Sequence, residues 1–411
     1  MKLLYNTGIS AYSLAIKTVA FCGYKKAKKW VLGRQKWRQN INIDNSKNII
    51  WIHTSSLGEY IMLKPIINEI LNSSDKIEIL LSFFSPSGFE NFKDNNPRIK
   101  AVYLPIDTRK NAIDFINIIN PKLAIFVKYD FWFNYLSELQ KKKIPTIVFS
   151  ALLRKGQIYF NPIFKWQKEI LKKIDSLLVI NKNVEKYLLS EEFKNIEVCG
   201  DTRFDQVLEN KHYYKDEKIE QFINNRKCII IGSSWKNEEH LLKEIIDNIS
   251  SYAIIIAPHD VSKNRINDIK KTFNNNTIKY SKLTDDDSLC NNKILIIDSI
   301  GLLSNIYNYS DIAIIGGGFS GKLHNILEPS SCNNAVLFGP KFDSFPEAVD
   351  MIEKEICCSF STSSDLFDII NKLSEPSKLK EAKNKCSNYI SNNTGAVNIV
   401  IKHIENYTKA F

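Results

Sequence analysis

The sequence predicts an α/β protein built from two doubly wound parallel-sheet domains. From Asn48 onward, short apolar runs alternate with longer amphipathic stretches. Apolar runs of this kind are typical of parallel strands buried on both faces, and their alternation with helices indicates doubly wound sheets. The pattern stops in a polar stretch after Asp205 and then restarts. The chain has 411 residues, and single cores stop growing at about 250–300 residues. We therefore expect two domains joined near residues 205–225.

The predicted strands follow one another in chain order. Those of the first domain, residues 39–210, lie in the runs IIWIH, IEILLSFF, AVYLP, LAIFV, TIVFSA, SLLVI and IEVCG. Those of the second, residues 211–411, lie in CIIIGSS, YAIIIAP, KILIID, IAIIGGG and AVLFGP, and the last helix is a candidate to pack back on the first domain. Ligands of such sheets bind outside the carboxyl ends of the strands. No GxGxxG follows the first strand, which argues against a standard dinucleotide site.

Composition narrows the class of partner. The net charge of +11 predicts an anionic partner. No helix-turn-helix, zinc or RNP pattern appears, so nucleic acid is not the expected partner. The eight Cys form no CxxC pair and the six His are dispersed, which predicts reduced thiols and no metal site. The acidic run Thr284–Ser288 (TDDDS) is interpreted as a solvated loop.

Residues 1–38 are predicted to form a basic amphipathic segment that associates with a membrane. As a helix, the first part aligns one stripe of Tyr5, Ile9, Tyr12, Ile16 and Val19. Lys17 and a neighbouring polar stripe argue against a spanning helix. The following run KKAKKWVLGRQKWR interleaves Trp30 and Trp37 with Lys and Arg, which suits an anionic lipid surface. The alternative is a core helix followed by a solvated basic helix.

Three residues at strand ends of the first domain could take part in catalysis. Glu59 follows the first strand in HTSSLGEY and could be a general base, although a helix-start Glu is the better explanation of this stretch alone. Asp130 follows LAIFV and is either an acidic group of a cleft or a helix cap. Arg203 follows IEVCG and is either an anion-binding group or part of a surface salt bridge.

The second domain has small-residue turns where strands lead into helices. Ser233 and Ser234 lie in one such turn and could hold phosphate. His259 lies beyond the strand YAIIIAP. The run GGGFSGKLHNILEP does not match GxxxxGK[ST], so a P-loop is rejected, but glycines let backbone amides approach phosphate closely. Glu328 at a helix start suits paired ribose hydroxyls, because an ionised carboxylate accepts two hydrogen bonds.

Taken together, these stretches resemble the 3-deoxy-D-manno-octulosonic acid (Kdo) transferases of Gram-negative bacteria. WIHTSSLGE is similar to that family's Trp-x-His-Ala-Ser-x-Gly-Glu, KYDFWFN to Glu-Thr-Glu-Leu-Trp-Pro-Asn, and GDTRFD to Gly-Asn-x-Lys-Phe-Asp. DSIGLL, GGGFSGKLHNILEP and LFGPKFDSFPEA resemble its Asp-Thr-x-Gly-Glu-Leu, Gly-Gly-Ser-Phe…Gly-Gly-His-Asn-x-Leu-Glu-Pro and Phe-Gly-Pro-x-x-x-Asn-Phe-x-Glu. The motifs follow in family order over about the whole chain, and the specificity lies in that ordered combination.

The resemblance implies a GT-B fold, with two Rossmann-like domains that face a cleft, and an inverting, metal-independent transfer of Kdo from CMP-Kdo to a lipid A precursor, lipid IVA. It places the enzyme on the cytoplasmic face of the bacterial inner membrane, on an anionic surface, and requires no cofactor. Glu59 would be the general base, with Asp130 and Arg203 where the family stabilises the transition state. The implied CMP contacts are Pro258, His259, Ile300, Gly301, Leu302, Asn325, Ile326, Leu327 and Glu328.

The sequence also departs from the family pattern. Lys128 replaces the first Glu of Glu-Thr-Glu, Asp130 is shorter than the second, and Arg203 stands for Lys. The run APHD lacks the Arg of the family's Pro-Arg-His-Pro, and Leu302 lies where the family has Glu or next to it. Two alternatives remain open: another GT-B transferase that uses a UDP-sugar on a lipid or cell-wall intermediate, and a non-catalytic basic protein that binds a membrane surface or RNA.

Overall fold

The chain forms two compact units. The computed structural model describes residues 2–44, 46–209, 214–283, 294–409 and 411. Unit 1 comprises Met1–Gln206 and Thr394–Phe411, and unit 2 comprises Val207–Asn393. We predicted the boundary at 210/211; the structure divides the chain at 206/207 and returns residues 394–411 to unit 1. The segment 284–288, interpreted above as a solvated loop, lies outside the described residues.

Unit 1 contains a seven-stranded parallel sheet flanked by helices. Its strands are β1 (Asn48–Thr54), β2 (Ile77–Phe83), β3 (Ile99–Tyr103), β4 (Leu123–Val127), β5 (Thr146–Ala151), β6 (Ser176–Val179) and β7 (Ile196–Val198). Its helices up to the unit boundary are α1 (Lys2–Phe21), α2 (Lys25–Gly33), α3 (Trp37–Asn40), α4 (Leu57–Ser73), α5 (Pro86–Phe89), α6 (Arg109–Ile119), α7 (Phe133–Lys141), α8 (Lys165–Leu171), α9 (Lys182–Ser190) and α10 (Arg203–Glu209). Short 3₁₀ turns lie at Ile158–Phe160 and Pro162–Phe164.

The strand order of unit 1 determines where a ligand would bind. The order is β3-β2-β1-β4-β5-β6-β7, and β1 pairs in parallel with both β2 and β4. The chain therefore leaves β1 in one direction and resumes in the other at β4, which makes the β1–β4 junction the topological switch point. Crevices outside the carboxyl ends of strands at such a point are the usual ligand sites of open α/β sheets.

Unit 2 contains a second seven-stranded parallel sheet. Its strands are β8 (Cys228–Ser234), β9 (Ala253–Pro258), β10 (Thr277–Lys279), β11 (Ile294–Ile296), β12 (Ile312–Ile315), β13 (Ala335–Phe338) and β14 (Cys358–Ser359). Its helices are α11 (Glu217–Ile223), α12 (Lys236–Ile245), α13 (Lys263–Thr272), α14 (Leu303–Ile306), α15 (Leu327–Ser331), α16 (Pro346–Glu353), α17 (Ser363–Ser374) and α18 (Pro376–Asn392), with 3₁₀ turns at Tyr280–Lys282 and Tyr307–Tyr309.

The order in unit 2 is β10-β11-β9-β8-β12-β13-β14, so β8 and β12 form its switch point. The predicted central strands are confirmed, and they are buried along their length except at the β8 exit. Strands β10 and β14 were missed. They have three and two residues and lie at the two edges of the sheet, where one neighbour is absent and no apolar run is required.

The basic N-terminal segment packs into unit 1 more deeply than predicted. Trp30 and Trp37 are only 5% and 7% exposed, so the expectation that they face a lipid interface is wrong. Arg34 is also buried, because its guanidinium donates to the carbonyl oxygens of Phe84 and Leu104 and lies 4.0 Å above the Trp30 ring. Burial lowers the pKa of Arg34 to about 10. The tryptophans of this segment therefore stabilise the fold.

Helix α1 is anchored at its start and exposed along much of its length. The Tyr5 hydroxyl donates to buried Asp107 at 2.6 Å, and its ring packs against Phe133. The far side of the helix leaves Leu3 and Phe21 largely exposed, at 79% and 91%. Within the part of the chain described, no helix combines the length and apolarity needed to traverse a bilayer.

The last helix, α19 (Ala396–Thr408), belongs to unit 1. Its residues Val397, Val400 and Ile404 join the core that β1, β2 and α4 form. His403 of the same helix contacts Ser176 of β6 through Nδ1 at 3.2 Å.

Candidate active site

Glu59 is positioned by the start of helix α4. Ser56 caps the helix, since its hydroxyl accepts from the Glu59 amide. The carboxylate of Glu59 turns back, and its Oε2 accepts from the Ser55 amide at 2.6 Å. The two bonds form the reciprocal arrangement of a capping box, shifted by one residue. The turn between β1 and α4 thus fixes Glu59 at the switch point of unit 1.

Asp130 reaches the same place from the neighbouring strand. The chain leaves β4 through Lys128, which has a left-handed φ of 60°, and Asp130 follows two residues later. Its carboxyl lies near the side chains of Ser55 and Glu59, which oppose the effect of burial on its pKa. The second oxygen, Oδ2, is buried and has no hydrogen-bond partner among the described residues. An orphaned buried acceptor of this kind is costly unless a ligand, water or proton satisfies it.

The two carboxyl groups perturb one another. Burial, and then the charge of Asp130, raise the pKa of Glu59 to about 7, while the Lys128 ammonium partly offsets the shift. Burial also raises the pKa of Asp130. The charge of Asp130 therefore disfavours ionisation of Glu59, and Glu59 loses its proton near neutral pH. A pKa near the working pH is what an efficient general base needs.

A buried aromatic network supports this pair. The Trp132 indole, two residues after Asp130, donates to Nε2 of His53 at 2.8 Å. Because an indole N–H can only donate, Nε2 is the acceptor and Nδ1 carries the proton, which it directs at Ser82 at 2.9 Å. Burial lowers the pKa of His53 to about 3, so the ring stays neutral. The hydrogen bond between Trp132 and His53 links β1 to the loop that carries Asp130. His53 lies within the sequence motif WIHTSSLGE.

Arg203 lies on the same side of unit 1, but its side chain is already engaged. Its Nε and terminal nitrogen bond to Oδ2 of Asp201 at 2.9 and 2.8 Å. Burial opposes ionisation of Asp201, yet the charge and hydrogen bonds of Arg203 hold the pKa of that carboxyl below its usual range. The guanidinium is therefore part of a salt bridge, as one of the two sequence interpretations allowed.

Tyr129 lies within electrostatic range of all three predicted catalytic residues. Its ring is 49% exposed. Burial raises its pKa, and the charges of Glu59 and Asp130 add to the shift, whereas Arg154 and Arg203 oppose it. All four charged groups are therefore within electrostatic range of one phenol. The sequence analysis did not identify Tyr129 or Arg154 as site residues. Tyr129 lies in the KYD triplet after β4, and no other strand-end pattern marks either residue.

In unit 2, two buried glutamates of α12 fix the switch point. Glu238 accepts from the amides of Gly317 and Trp235, at 2.9 and 3.2 Å. Glu239 accepts from the Ser234 hydroxyl at 2.6 Å and forms a salt bridge with Arg265. Ser234 was predicted to bind phosphate, but its hydroxyl donates its hydrogen bond to a protein carboxylate.

The three consecutive glycines after β12 allow close backbone packing. A Cβ on Gly316 would lie 2.1 Å from the Ser233 carbonyl oxygen, and one on Gly318 would lie 2.5 Å from the Gly339 amide nitrogen. Gly317 has a φ of 90°, and its amide is the one that Glu238 accepts. The glycines thus join the β8 and β12 exits, and the Gly317 amide is not available to a phosphate.

A ring cluster missed by the sequence analysis lies at these strand ends. The Trp235 indole stacks on the His259 ring, with centroids 4.9 Å apart and planes 15° apart. His324 lies 4.6 Å from His259, and its Nε2 accepts from the Trp235 indole at 3.3 Å. Burial, and then the charge of His259, lower the pKa of His324. His259 and Trp235 are exposed, so this cluster offers a flat aromatic surface with a titratable edge.

The other predicted CMP contacts lie either at the ends of strands or at the start of α15. Ile300 is 88% exposed and Gly301 has a φ of 90° at the turn that leads into Leu302 and α14. Pro258 is buried at the end of β9. These positions surround the carboxyl end of the sheet through backbone more than through side chains.

Just before α15, the Asn325 side-chain oxygen accepts from the Leu327 amide, and its amide group donates to Glu328 at 3.1 Å. Ile326 and Leu327 are buried, so only their backbone could meet a ligand. Burial raises the pKa of Glu328. Among the residues described, no three His, Cys, Asp or Glu side chains are grouped as ligands of a metal ion.

Comparison with known proteins indicates a family. Residues 32–206 match the family model described as 3-deoxy-D-manno-octulosonic-acid transferase (kdotransferase), and Glu59, Asp130 and Arg203 lie within that range. This match and the relatives below support a Kdo transferase of GT-B type. A 3-deoxy-D-manno-octulosonic acid transferase of Aquifex aeolicus is 26% identical over 83% of this chain and 89% of its own length. That of Rickettsia prowazekii is 23% identical over 94% and 87%.

A second kind of relative is longer than this chain. A bifunctional glycosyltransferase/methyltransferase of Fusobacterium nucleatum is 28% identical over 81% of this chain, which spans 53% of that relative. The family model and these relatives indicate a glycosyltransferase.

Solved structures agree on the fold. The chain is similar to a UDP-GlcNAc 2-epimerase from Neisseria meningitidis bound to UDP-GlcNAc, with a TM-score of 0.60, 17% identity and coverage of 87% and 100%. It is also similar to a glycosyltransferase from Rickettsia africae, with a TM-score of 0.53, 16% identity and coverage of 88% and 98%. The chain thus has the GT-B fold of two Rossmann-like domains, as predicted.

Proposed function

We propose that this chain transfers Kdo from CMP-Kdo to a hydroxyl of the lipid A precursor lipid IVA, with inversion and without a metal ion. The observation that carries the proposal is the carboxyl pair of Glu59 and Asp130 at the switch point of unit 1. One member has a pKa near neutrality, and the other keeps a buried oxygen without a partner among the described residues. The family's relation to Kdo supports the choice of sugar.

The chemistry follows from that pair. Glu59 takes the proton of the acceptor hydroxyl as its oxygen attacks the anomeric carbon of Kdo. The bond from that carbon to the phosphate oxygen breaks in the same displacement, and CMP leaves with the bonding electrons. A single in-line step inverts the anomeric centre. Asp130 raises the proton affinity of Glu59, and Lys128 limits that rise, so the base is ionised at neutral pH and still basic.

In unit 2, we assign the donor to the crevice outside β8, β9 and β12. His259 and exposed Lys322 are candidates to bind the CMP phosphate, and Glu328 is the candidate for the ribose hydroxyls. His259 takes on greater weight here because this chain lacks the family's Arg before it. Hydrogen-bond donors and positive charge beside the phosphate would stabilise the charge that grows on the leaving group.

We also propose that the enzyme works at the cytoplasmic face of the bacterial inner membrane. No acidic residue precedes Asp44, whereas nine Lys and Arg do. Juxtamembrane basic residues contribute about 1 kcal/mol each near an anionic surface. Co-sedimentation with anionic vesicles should be lost when Lys25, Lys26 and Lys28 are changed to Gln and Phe21 to Ser, since these exposed side chains do not support the core.

Mass spectrometry of lipid IVA after incubation with the enzyme and CMP-Kdo tests the proposal. The expected product carries one or more additional Kdo residues. The parallel measurement is a thermal-shift panel of nucleotides, in which CMP should stabilise the protein more than UDP. Stabilisation by UDP with no Kdo adduct would overturn the proposal in favour of a transferase that uses a UDP-sugar.

A further inference from the structure

An apolar groove lies in unit 1 between α1, α2 and the loop that follows β2. Its volume is about 410 Å³, and its walls carry Tyr12, Ile16, Val19, Trp30, Phe84 and Pro86. Tyr12 and Val19 are each 46% exposed, so the groove opens to solvent while its lining is apolar. Contiguous apolar surface of this kind indicates a partner.

The walls of the groove are rigid. Trp30 is buried, and its ring lies 5.9 Å from that of Phe84 and 6.1 Å from that of Tyr12. The buried Arg34 guanidinium holds the Phe84 carbonyl at 2.7 Å and covers the Phe84 ring at 4.9 Å. Because a buried cation and packed rings fix its shape, the groove can bind a ligand without a large entropy cost for ordering its side chains.

The same walls lead to the candidate base. The Ser85 amide donates to the Ser55 carbonyl oxygen at 2.9 Å, and the Ser55 amide in turn donates to Glu59. On the other side, the Phe84 ring lies 4.6 Å from that of Trp132, which belongs to the Asp130 loop. One end of the groove is therefore connected to Glu59 through a single residue of backbone.

The charges around the groove indicate the type of ligand. Lys26 lies in its lining, and Lys25 and Lys28 flank it on α2. Among the described residues none of these three lysines forms an ion pair with a carboxylate, whereas Lys29 is paired with Glu90 at 2.8 Å. An apolar channel with unpaired ammonium groups at its rim suits an acyl chain attached to a phosphorylated headgroup.

We propose that this groove binds one acyl chain of the acceptor lipid and thereby places the acceptor's sugar hydroxyl beside Glu59. The proposal rests on the proposed function in taking a phosphorylated glycolipid as acceptor, and it adds a binding subsite for the lipid itself. Each methylene that enters such a groove adds to affinity, because apolar surface leaves water. The acyl chain thus raises the occupancy of the acceptor at the base.

Photolabelling tests occupancy without requiring transfer. The probe is dodecyl phosphate with a terminal diazirine, and the labelled peptides are mapped by mass spectrometry. We expect label in residues 12–30 and 84–86. Ala15→Phe fills the groove from its α1 wall. It should reduce labelling by about tenfold, which corresponds to the binding free energy lost when roughly two methylenes of the chain are excluded. Ala11→Phe is the matched control, because it adds the same ring to the same exposed helix outside the groove and should label as wild type does.

Transfer kinetics test the connection to catalysis. Ala15→Phe should raise the KM for lipid IVA by about tenfold and leave kcat unchanged, while the KM for the fully deacylated disaccharide bisphosphate stays as in wild type. Val19→Phe, at another exposed wall position, repeats the test should Ala15→Phe melt below wild type. Equal labelling and equal KM in the groove variants and Ala11→Phe would overturn the proposal. Groove-specific labelling without Kdo transfer in wild type would leave the groove standing and remove the proposed function.

Discussion

The two sheet switch points have the same topology, but their carboxylates differ in how fully the protein satisfies them with hydrogen-bond partners. In unit 1, Glu59 and Asp130 lie close enough to perturb each other's pKa, and one oxygen of Asp130 is buried with no partner in the described chain. In unit 2, Glu238 and Glu239 are buried to 1% exposure, and backbone amides, a hydroxyl and Arg265 are bonded to them. Burial alone therefore does not distinguish a chemical carboxylate from a structural one.

The difference lies in what remains for a ligand. A carboxylate that accepts from two backbone amides has been used to close a turn, and its removal costs folding free energy. A carboxyl pair with a buried oxygen that lacks a partner among the described residues still has capacity for a proton, which a substrate can supply. The first kind predicts a stability phenotype on mutation, and the second an activity phenotype.

The same substitution at both switch points should give opposite results, and the larger effect is expected at Glu59. Glu59→Gln should lower transfer by about 10²–10⁴-fold, because general-base catalysis contributes that much. Its stability at pH 8 should equal or exceed that of wild type. The raised pKa means that folding favours the protonated carboxyl, so the stability contribution of Glu59 is present below pH 4.5 and is lost as pH rises toward about 7.

Transfer rates from CMP-Kdo and thermal melts at pH 8, measured on the same preparations, check this prediction. Near-normal transfer by Glu59→Gln would remove Glu59 as the base and with it the contrast between the switch points.

Glu238→Gln should show the converse. The amide has one carbonyl oxygen for the two backbone donors of Gly317 and Trp235, and its NH₂ group faces one of them. We expect a loss of about 1–3 kcal/mol in the free energy of unfolding, measured by urea titration. Transfer by the folded fraction should change far less than in Glu59→Gln. A variant as stable as wild type would show that the glutamate is not structural.

The ring cluster of unit 2 provides a smaller test. Trp235→Phe keeps a stacking ring above His259 but removes the donor to His324. Because one neutral hydrogen bond contributes about 0.5–1.5 kcal/mol, CMP affinity measured by calorimetry should fall by no more than about tenfold. Trp235→Ala removes the stack as well and should have the larger effect. Equal affinities in all three proteins would exclude the cluster from the donor site.

Sequence reasoning located strand ends well because parallel strands buried on both faces leave long apolar runs, as in β1 and β4. It placed Glu59 and Asp130 at strand ends for the same reason, and the strand order of the structure shows that the two strands are neighbours. It could not show that Asp201 binds the Arg203 guanidinium, or that Glu238 takes the Gly317 amide, since both depend on contacts of side-chain rotamers across loops. It also assigned Trp30 to a lipid interface, because its basic neighbours concealed a buried aromatic cluster.

The finest comparison uses the charges that surround Glu59. Transfer should fall as pH decreases through about 7, where the base becomes protonated. The Lys128 ammonium favours the ionised form, so Lys128→Met should raise the apparent pKa of the acid limb of kcat/KM, and Asp130→Asn should lower it. Two unit charges about 4 Å apart near a protein surface interact by about 4 kcal/mol, so each shift should be at most about three pH units. Lys322→Met, a charge-matched change in unit 2, should leave the limb in place. Shifts of the same sign in Lys128→Met and Asp130→Asn would contradict an electrostatic origin, because the two substitutions remove charges of opposite sign from one carboxyl group.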